Sequence, residues 1–207
     1  MPRHAGRTCW KRFAVFLIPS VAACATIGIA MAQGVLAASF FVSGQEFQVA
    51  TGTLAARGVS IYGMVDVTRK RELVPVTVTG ARYATIRELC QSVLVDIPVL
   101  GPFTARFTGG REEPVEASNL FIDATNQTAD KAVFRSLDIG VAQGEITKGP
   151  INPGDRDSKF FDANGVGQQA VSATLTNVHW TAVAVSAGTF SIPGLRAQIR
   201  QGQHECF

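Results

Sequence analysis

Apolar and polar residues alternate with a period of two along much of the chain after Phe40. Val74, Val76 and Val78 alternate with Pro75, Thr77 and Thr79, and Phe103, Ala105 and Phe107 alternate with Thr104, Arg106 and Thr108. Leu137, Ile139 and Val141 repeat the pattern against Ser136, Asp138 and Gly140, as do Leu195, Ala197 and Ile199 against Arg196, Gln198 and Arg200. This spacing gives a strand one apolar and one wet face. Pro75, which lacks an N–H, marks a strand start or an edge. The runs ASFFVSGQEFQVATGTL and SATLTNVHWTAVAVSAGTFSI are rich in the β-branched and aromatic residues that suit strands. Glycine recurs about every ten residues, as turns between antiparallel strands require. ATIRELCQSVL fits either a short helix or a strand. The pattern predicts an all-β body, built as an antiparallel sandwich or a curled sheet.

One interval breaks the alternation. Gly144 to Gly167 is dense in Gly, Pro, Asp and Asn and predicts a long surface loop. Phe160 and Phe161 inside it are expected to pin the loop to the body, with the rim of a binding mouth as the alternative. Asp155, Asp157, Asp162 and Asn164 are oxygen ligands of the kind calcium favours. Their order departs from a twelve-residue calcium loop and no glutamate closes it, so they read as turn formers. No metal or other cofactor is expected.

The opening of the chain has a different character. No charged residue occurs between Arg12 and Glu46, and Phe13 to Ala32 is long enough to cross a bilayer as a helix. Arg3, Arg7, Lys11 and Arg12 lie only on its N-terminal side, which orients that end toward the cytoplasm. The expected organisation is a basic cytoplasmic flank (1–12), a signal peptide or transmembrane anchor (13–38) and an extracytoplasmic β domain (39–207). Three fates of the apolar segment stay open. Ala30-Met31-Ala32 and Val35-Leu36-Ala37 fit signal-peptidase sites. A retained anchor would leave the body on the cell membrane, and cleavage would release it as a secreted protein. Val21-Ala22-Ala23-Cys24 matches a lipobox in which Cys24 would be lipidated.

Charge and cysteine follow from that division. Of the 19 basic residues, four precede Phe13, which leaves 15 against 16 acidic residues in the remainder. A body so nearly neutral argues against nucleic acid as a partner, since such binding needs clustered basic side chains. The one basic run, Arg69-Lys70-Arg71, reads as a solvated turn. Of the four cysteines, Cys9 and Cys24 fall in the flank and the apolar segment. Only Cys90 and Cys206 reach the oxidising side, where they are expected to pair. A bridge across a loop of roughly 100 residues contributes up to about 4.7 kcal/mol in the chain-entropy account.

Catalytic chemistry is sparse. There is no G-x-S-x-G elbow. His179 sits in the strand-like TNVHWTAV, His204 lies two residues from Cys206, and His4 belongs to the N-terminal flank. The leading expectation is a binding or structural role at the outer membrane face. An apolar sheet face that gapes would hold an acyl chain or another hydrophobic ligand. Phe103, Phe107, Phe134, Trp180 and Phe190 are the candidate lining residues, with Phe40, Phe47 and Phe121 in the wider set.

WKRFAVFLIPSVAA, QGVLAASFFVSGQEF, LCQSV, NLFIDA, DIGVAQG and SATLTNV…SAGTFSIPGLR…ECF resemble an actinobacterial, Streptomyces-type family of exported or membrane proteins of unknown function. Members often carry the label "cholesterol esterase". The resemblance implies an envelope location and equivalent body cysteines. It maps no catalytic residue here, and the label conflicts with the missing nucleophile elbow. Lipid ester hydrolysis is therefore the alternative to ligand binding.

Overall fold

The computed structural model describes residues 43–207. The flank, the apolar segment, Cys9, Cys24 and Phe40 lie outside the described residues. Nine strands fill most of the remainder: β1 Phe47–Val67, β2 Leu73–Arg87, β3 Leu89–Ile97, β4 Gly101–Gly109, β5 Val115–Arg135, β6 Asp138–Ala142, β7 Val166–Ser186, β8 Thr189–Ser191 and β9 Arg196–Gln201. Every pairing is antiparallel. The all-β expectation holds, and ATIRELCQSVL resolves into the end of β2 and the start of β3, broken at Glu88 with φ 57°. Pro75 sits near the start of β2, opposite Val65.

The four longest strands close on themselves. β1 pairs with β2 and β7, β2 pairs with β5, and β5 pairs with β7. The ring is steeply staggered. From Gly63 the pairings lead through Thr77, Ala124 and Ala182 to Phe47, the far end of the same strand. Closing a ring couples strand tilt to stagger in this way, and the stagger leaves residues 126–135 of β5 paired with β7 alone.

Side-chain size follows from the crowding inside. Eight of the 19 buried residues of the main core are alanines, interleaved with Leu54, Ile86, Leu120, Leu175 and Trp180. Small residues let opposed backbones approach closely enough for the larger ones to fill the space. An interior void, lined by Leu54, Ile122 and Phe134 among others, measures about 20 Å³. That is room for a single water.

Strict alternation cannot keep one face inside along strands this long, and single residues reset it. In β5, Val115 and Ala117 enter the main core, and after Asn119 the inward set becomes Leu120, Ile122 and Ala124. In β7, Ala173 and Leu175 give way after Asn177 to Val178, Trp180 and Ala182. Asn119 and Asn177 both have φ 48°, and Gly58 in β1 has φ 62°. Asparagine and glycine are the residues that accept this left-handed conformation most readily. The pairing register runs unbroken across all three, so each turns the alternation over without adding a residue to its strand.

The 143–165 interval is a strap rather than a free surface loop. It contains a 3₁₀ turn, Gln143–Glu145, and one helical turn, α1, Pro153–Arg156, capped by Asn152 Oδ1 accepting from the Gly154 N–H. The strap covers the outer face of the ring. Ile146 and Ile151 join Tyr62, Met64, Val76, Val78, Phe121 and Val183 in a second core, with Phe160 and Phe161 packed at its edge. The phenylalanines pin the strap as expected. Composition suggested a surface loop because turn residues predominate, whereas two isoleucines and an inward aspartate decide its placement. At Gly149 the strap lies so close to β1 that a Cβ would overlap the backbone of Val59 and Ser60.

β3, β4 and β9 extend from the ring as a three-stranded wing. The expected disulfide, Cys90–Cys206, ties the C-terminus to the wing with a sequence separation of 116 residues.

Candidate functional site

The wing has two unlike faces. In register, Val95 lies opposite Phe103, Ala105 lies between Val93 and Ile199, and Phe107 lies opposite Ala197. These residues share one face. Val95, Ile97 and Phe107 are 38–39% exposed and Ile199 is 76% exposed. Beyond them, the turn between β3 and β4 carries Val99 and Leu100 at 104% and 59% exposure. An apolar sheet face that ends in a projecting apolar tip leaves apolar surface in water.

The other face is covered over Ser92 and Thr104. The C-terminal tail crosses it, with the His204 N–H donating to Thr104 Oγ1, the Cys206 N–H to Ser92 Oγ and the Phe207 N–H to Gln48 Oε1. Thr104 and Ser92 are buried beneath the tail. The tail and disulfide thus hold the wing's inner face, and the apolar face stays open.

The expected lining residues separate on this scaffold. Phe103 and Phe107 belong to the open apolar face. Trp180 is 1% exposed inside the ring, and Phe134 packs against that core, so neither faces a groove. Phe190 is partly exposed on β8, opposite Ala117 of β5 and apart from the wing. The 20 Å³ void inside the ring is too small for an acyl chain. Of the wider set, Phe47 packs against the main core and Phe121 is buried in the second. A larger external groove of about 640 Å³ runs over β1, with Arg57, Arg82 and Tyr83 among its lining residues. Arg82 is occupied there, donating to the carbonyls of Thr147 and Lys148 on the strap.

The candidate bases lie apart from any hydrolytic arrangement. His179 is mid-strand as expected, and its ring stacks on Phe207 at 4.3 Å between centroids. His204 Nε2 lies 3.1 Å from the Gln201 carbonyl. Of the loop's oxygen ligands, Asp155 turns inward to accept from the Tyr62 hydroxyl, and Asp162 Oδ1 accepts from the Asn164 N–H in a turn. Among the described residues, no group of three or more His, Cys, Asp or Glu is arranged to hold a metal ion.

Sequence reading missed a set of acids beneath the strap. Asp123 and Asp155 are 7% and 9% exposed, and Asp123 Oδ1 and Asp66 Oδ2 are buried without a hydrogen-bond partner. Burial, reinforced by the charges of Asp66 and Asp155, pushes the Asp123 carboxyl up to about 8. Burial and the Asp155 charge raise Asp66 to about 6. Asp155 is also raised by burial, against the Tyr62 hydrogen bond that favours its charged form. Burial and then the Asp155 charge move the Tyr62 phenol far above its usual range. The signal for this set was weak: Asp123 and Asp66 each interrupt an apolar run, in LFIDA and GMVDV.

A family model described as a family of unknown function (DUF6230) matches residues 43–207. The chain belongs to that family. The match begins and ends with the described β domain, so ring, strap and wing together constitute the DUF6230 unit. No curated protein and no solved structure matches the chain.

Proposed function

We propose that the DUF6230 domain is an extracytoplasmic, non-catalytic module that rests on a lipid surface through the apolar face and tip of its wing. The observation that carries this reading is the exposed set Val95, Ile97, Phe107 and Ile199 on one side of β3, β4 and β9, with Val99 and Leu100 exposed in the turn beyond them. Chain geometry supports the same occupant. The apolar segment 13–38 joins the domain just before Ser43, and the Gln45 side-chain amide donates to the Leu94 carbonyl on β3. A segment held in the bilayer would therefore bring the wing close to the membrane surface. The disulfide, native to oxidising compartments, and the resemblance to exported actinobacterial proteins agree with a place at the cell envelope.

The test is quenching by brominated lipid of the full chain reconstituted in vesicles, with Trp10→Phe to silence the tryptophan beside the apolar segment and Val99→Trp as reporter. Emission from position 99 is expected to be quenched, while Trp180, buried in the ring, is not. A position-99 emission with a water-exposed maximum and no response to brominated acyl chains would overturn the reading.

A further inference from the structure

On the side of the wing away from its apolar face, four arginines converge. A cleft of about 620 Å³ is lined by Arg106 of β4, Arg111 of the following loop, and Arg196 and Arg200 of β9, with Glu112 and Glu113 also in the lining. The register explains the convergence. Thr108 pairs with Arg196, Arg106 with Gln198 and Thr104 with Arg200. Alternation therefore places Arg196 and Arg200 on the same face as Arg106, which sits between them on the neighbouring strand. Adjacent strands are about 4.8 Å apart and residues four apart on a strand about 13 Å, so three guanidinium groups surround one small area.

The cluster is unneutralised. Among the described residues the one ion pair within 4 Å is Lys148–Asp138, so neither glutamate of the cleft closes onto an arginine. Four arginines against two glutamates leave an excess of two positive charges in a concave site. Like charges held this close repel unless an anion joins them. Arg106 is also held in place. Its Nε donates to Cys90 Sγ at 3.1 Å, which fixes the guanidinium against the disulfide and leaves its terminal N–H groups for a ligand. A planar fork of donors recognises phosphate two bonds at a time.

We propose that this cleft binds a multiply charged phosphoryl group, one that bridges Arg106 to Arg196 and Arg200. The inference is independent of the lipid-surface reading, because the cleft opens on the opposite face of the wing. The near-neutral composition of the body hid it, since the sheet gathers charges that lie up to 94 residues apart in the chain. The same chemistry is offered by an anionic lipid headgroup and by a phosphate compound free in solution.

The experiment titrates tripolyphosphate into the full chain in neutral micelles at low salt, followed by calorimetry. Binding is expected, and it should weaken at least tenfold in Arg196→Gln/Arg200→Gln, whose exposed positions on an edge strand leave the fold intact by circular dichroism. The salt dependence should become shallower in the same variant, because fewer cations face the ligand. Arg196→Lys/Arg200→Lys should recover part of the affinity, with charge restored and the fork absent. Adding phosphatidylglycerol to the micelles identifies the source. Competition with tripolyphosphate assigns the cleft to a headgroup, and unchanged affinity assigns it to a soluble phosphate. Absence of tripolyphosphate binding, or equal binding by the parent and the glutamine variant, overturns the proposal.

Discussion

The Tyr62 hydroxyl donates to Asp155 Oδ2 at 2.7 Å, a buried bond between residues 93 positions apart. The same hydroxyl accepts from the Asn152 N–H at 3.1 Å, so one phenol fastens both ends of the helical turn α1 to β1. Tyr62→Phe keeps the ring and its edge contact with Phe161, at 6.2 Å between centroids, and removes both bonds. It leaves a buried carboxyl and a buried N–H without this partner, which costs about 1–3 kcal/mol. Urea denaturation checks the loss, and limited proteolysis should show new cuts within residues 143–165. An unchanged midpoint with an uncut strap contradicts the assignment.

The acids beneath the strap give a pH dependence of definite sign. Asp66 and Asp123 have folded-state values above the ordinary 3.8, at about 6 and about 8. Between those limits the folded protein holds more protons than the unfolded chain, so stability falls as pH rises. Their contribution is whole near pH 4 and is lost through pH 8, with Asp66 exhausted first. Asp138 has the opposite sign, because the hydrogen bond from Lys148 lowers its carboxyl, but its effect is confined to pH values below the ordinary carboxylate range. Thermal melts should show a lower midpoint at pH 8 than at pH 5.5, and Asp123→Asn should shrink that difference. A midpoint that rises over this interval contradicts the buried acidic layer.

Much of the fold was legible because a strand half-buried on one face must alternate. The patterns around Val76, Ala105, Ile139 and Ala197 correspond to β2, β4, β6 and β9. Cys90 and Cys206 were paired by compartment alone, and the bridge is present. Ring closure was not legible, because β1 meeting β7 is a contact between segments more than 100 residues apart that no local pattern encodes. The placement of Trp180 and Phe134 against the ring core was not legible for a related reason. An aromatic residue on an apolar strand face looks the same whether that face closes on itself or opens. Phe103 and Phe107 differ only in lying on the wing, which the ring does not cover.

Asn119 and Asn177 look in the sequence like misplaced turn residues, and in the fold they set the facing of β5 and β7. At φ 48° a β-branched side chain clashes with its own backbone. Asn177 also donates from Nδ2 to Asp130 Oδ2 at 2.7 Å on the neighbouring strand. Asn177→Val should cost about 1–3 kcal/mol, the usual scale for a residue forced into this region. Asn177→Gly should cost less, because glycine accepts the conformation and only the side-chain bond is lost. Chemical denaturation of the two variants checks the order. Equal losses would place the cost in the hydrogen bond rather than in the backbone conformation.

The disulfide stabilises the domain from its periphery, and its removal should loosen the molecule unevenly. Cys206→Ser frees a tail that otherwise depends on its N–H bonds to Thr104, Ser92 and Gln48. The bridge closes a 116-residue separation, and losing one of this kind typically costs about 2–5 kcal/mol. Hydrogen exchange should lose protection first at residues 203–207 and along β3, β4 and β9. The four ring strands, joined to one another on both sides, should hold their protection until global unfolding. Tail and wing opening ahead of the ring is the expected signature. Uniform loss of protection would mean that wing and ring unfold as one unit, and an unchanged melting temperature would mean that the N–H bonds suffice without the bridge.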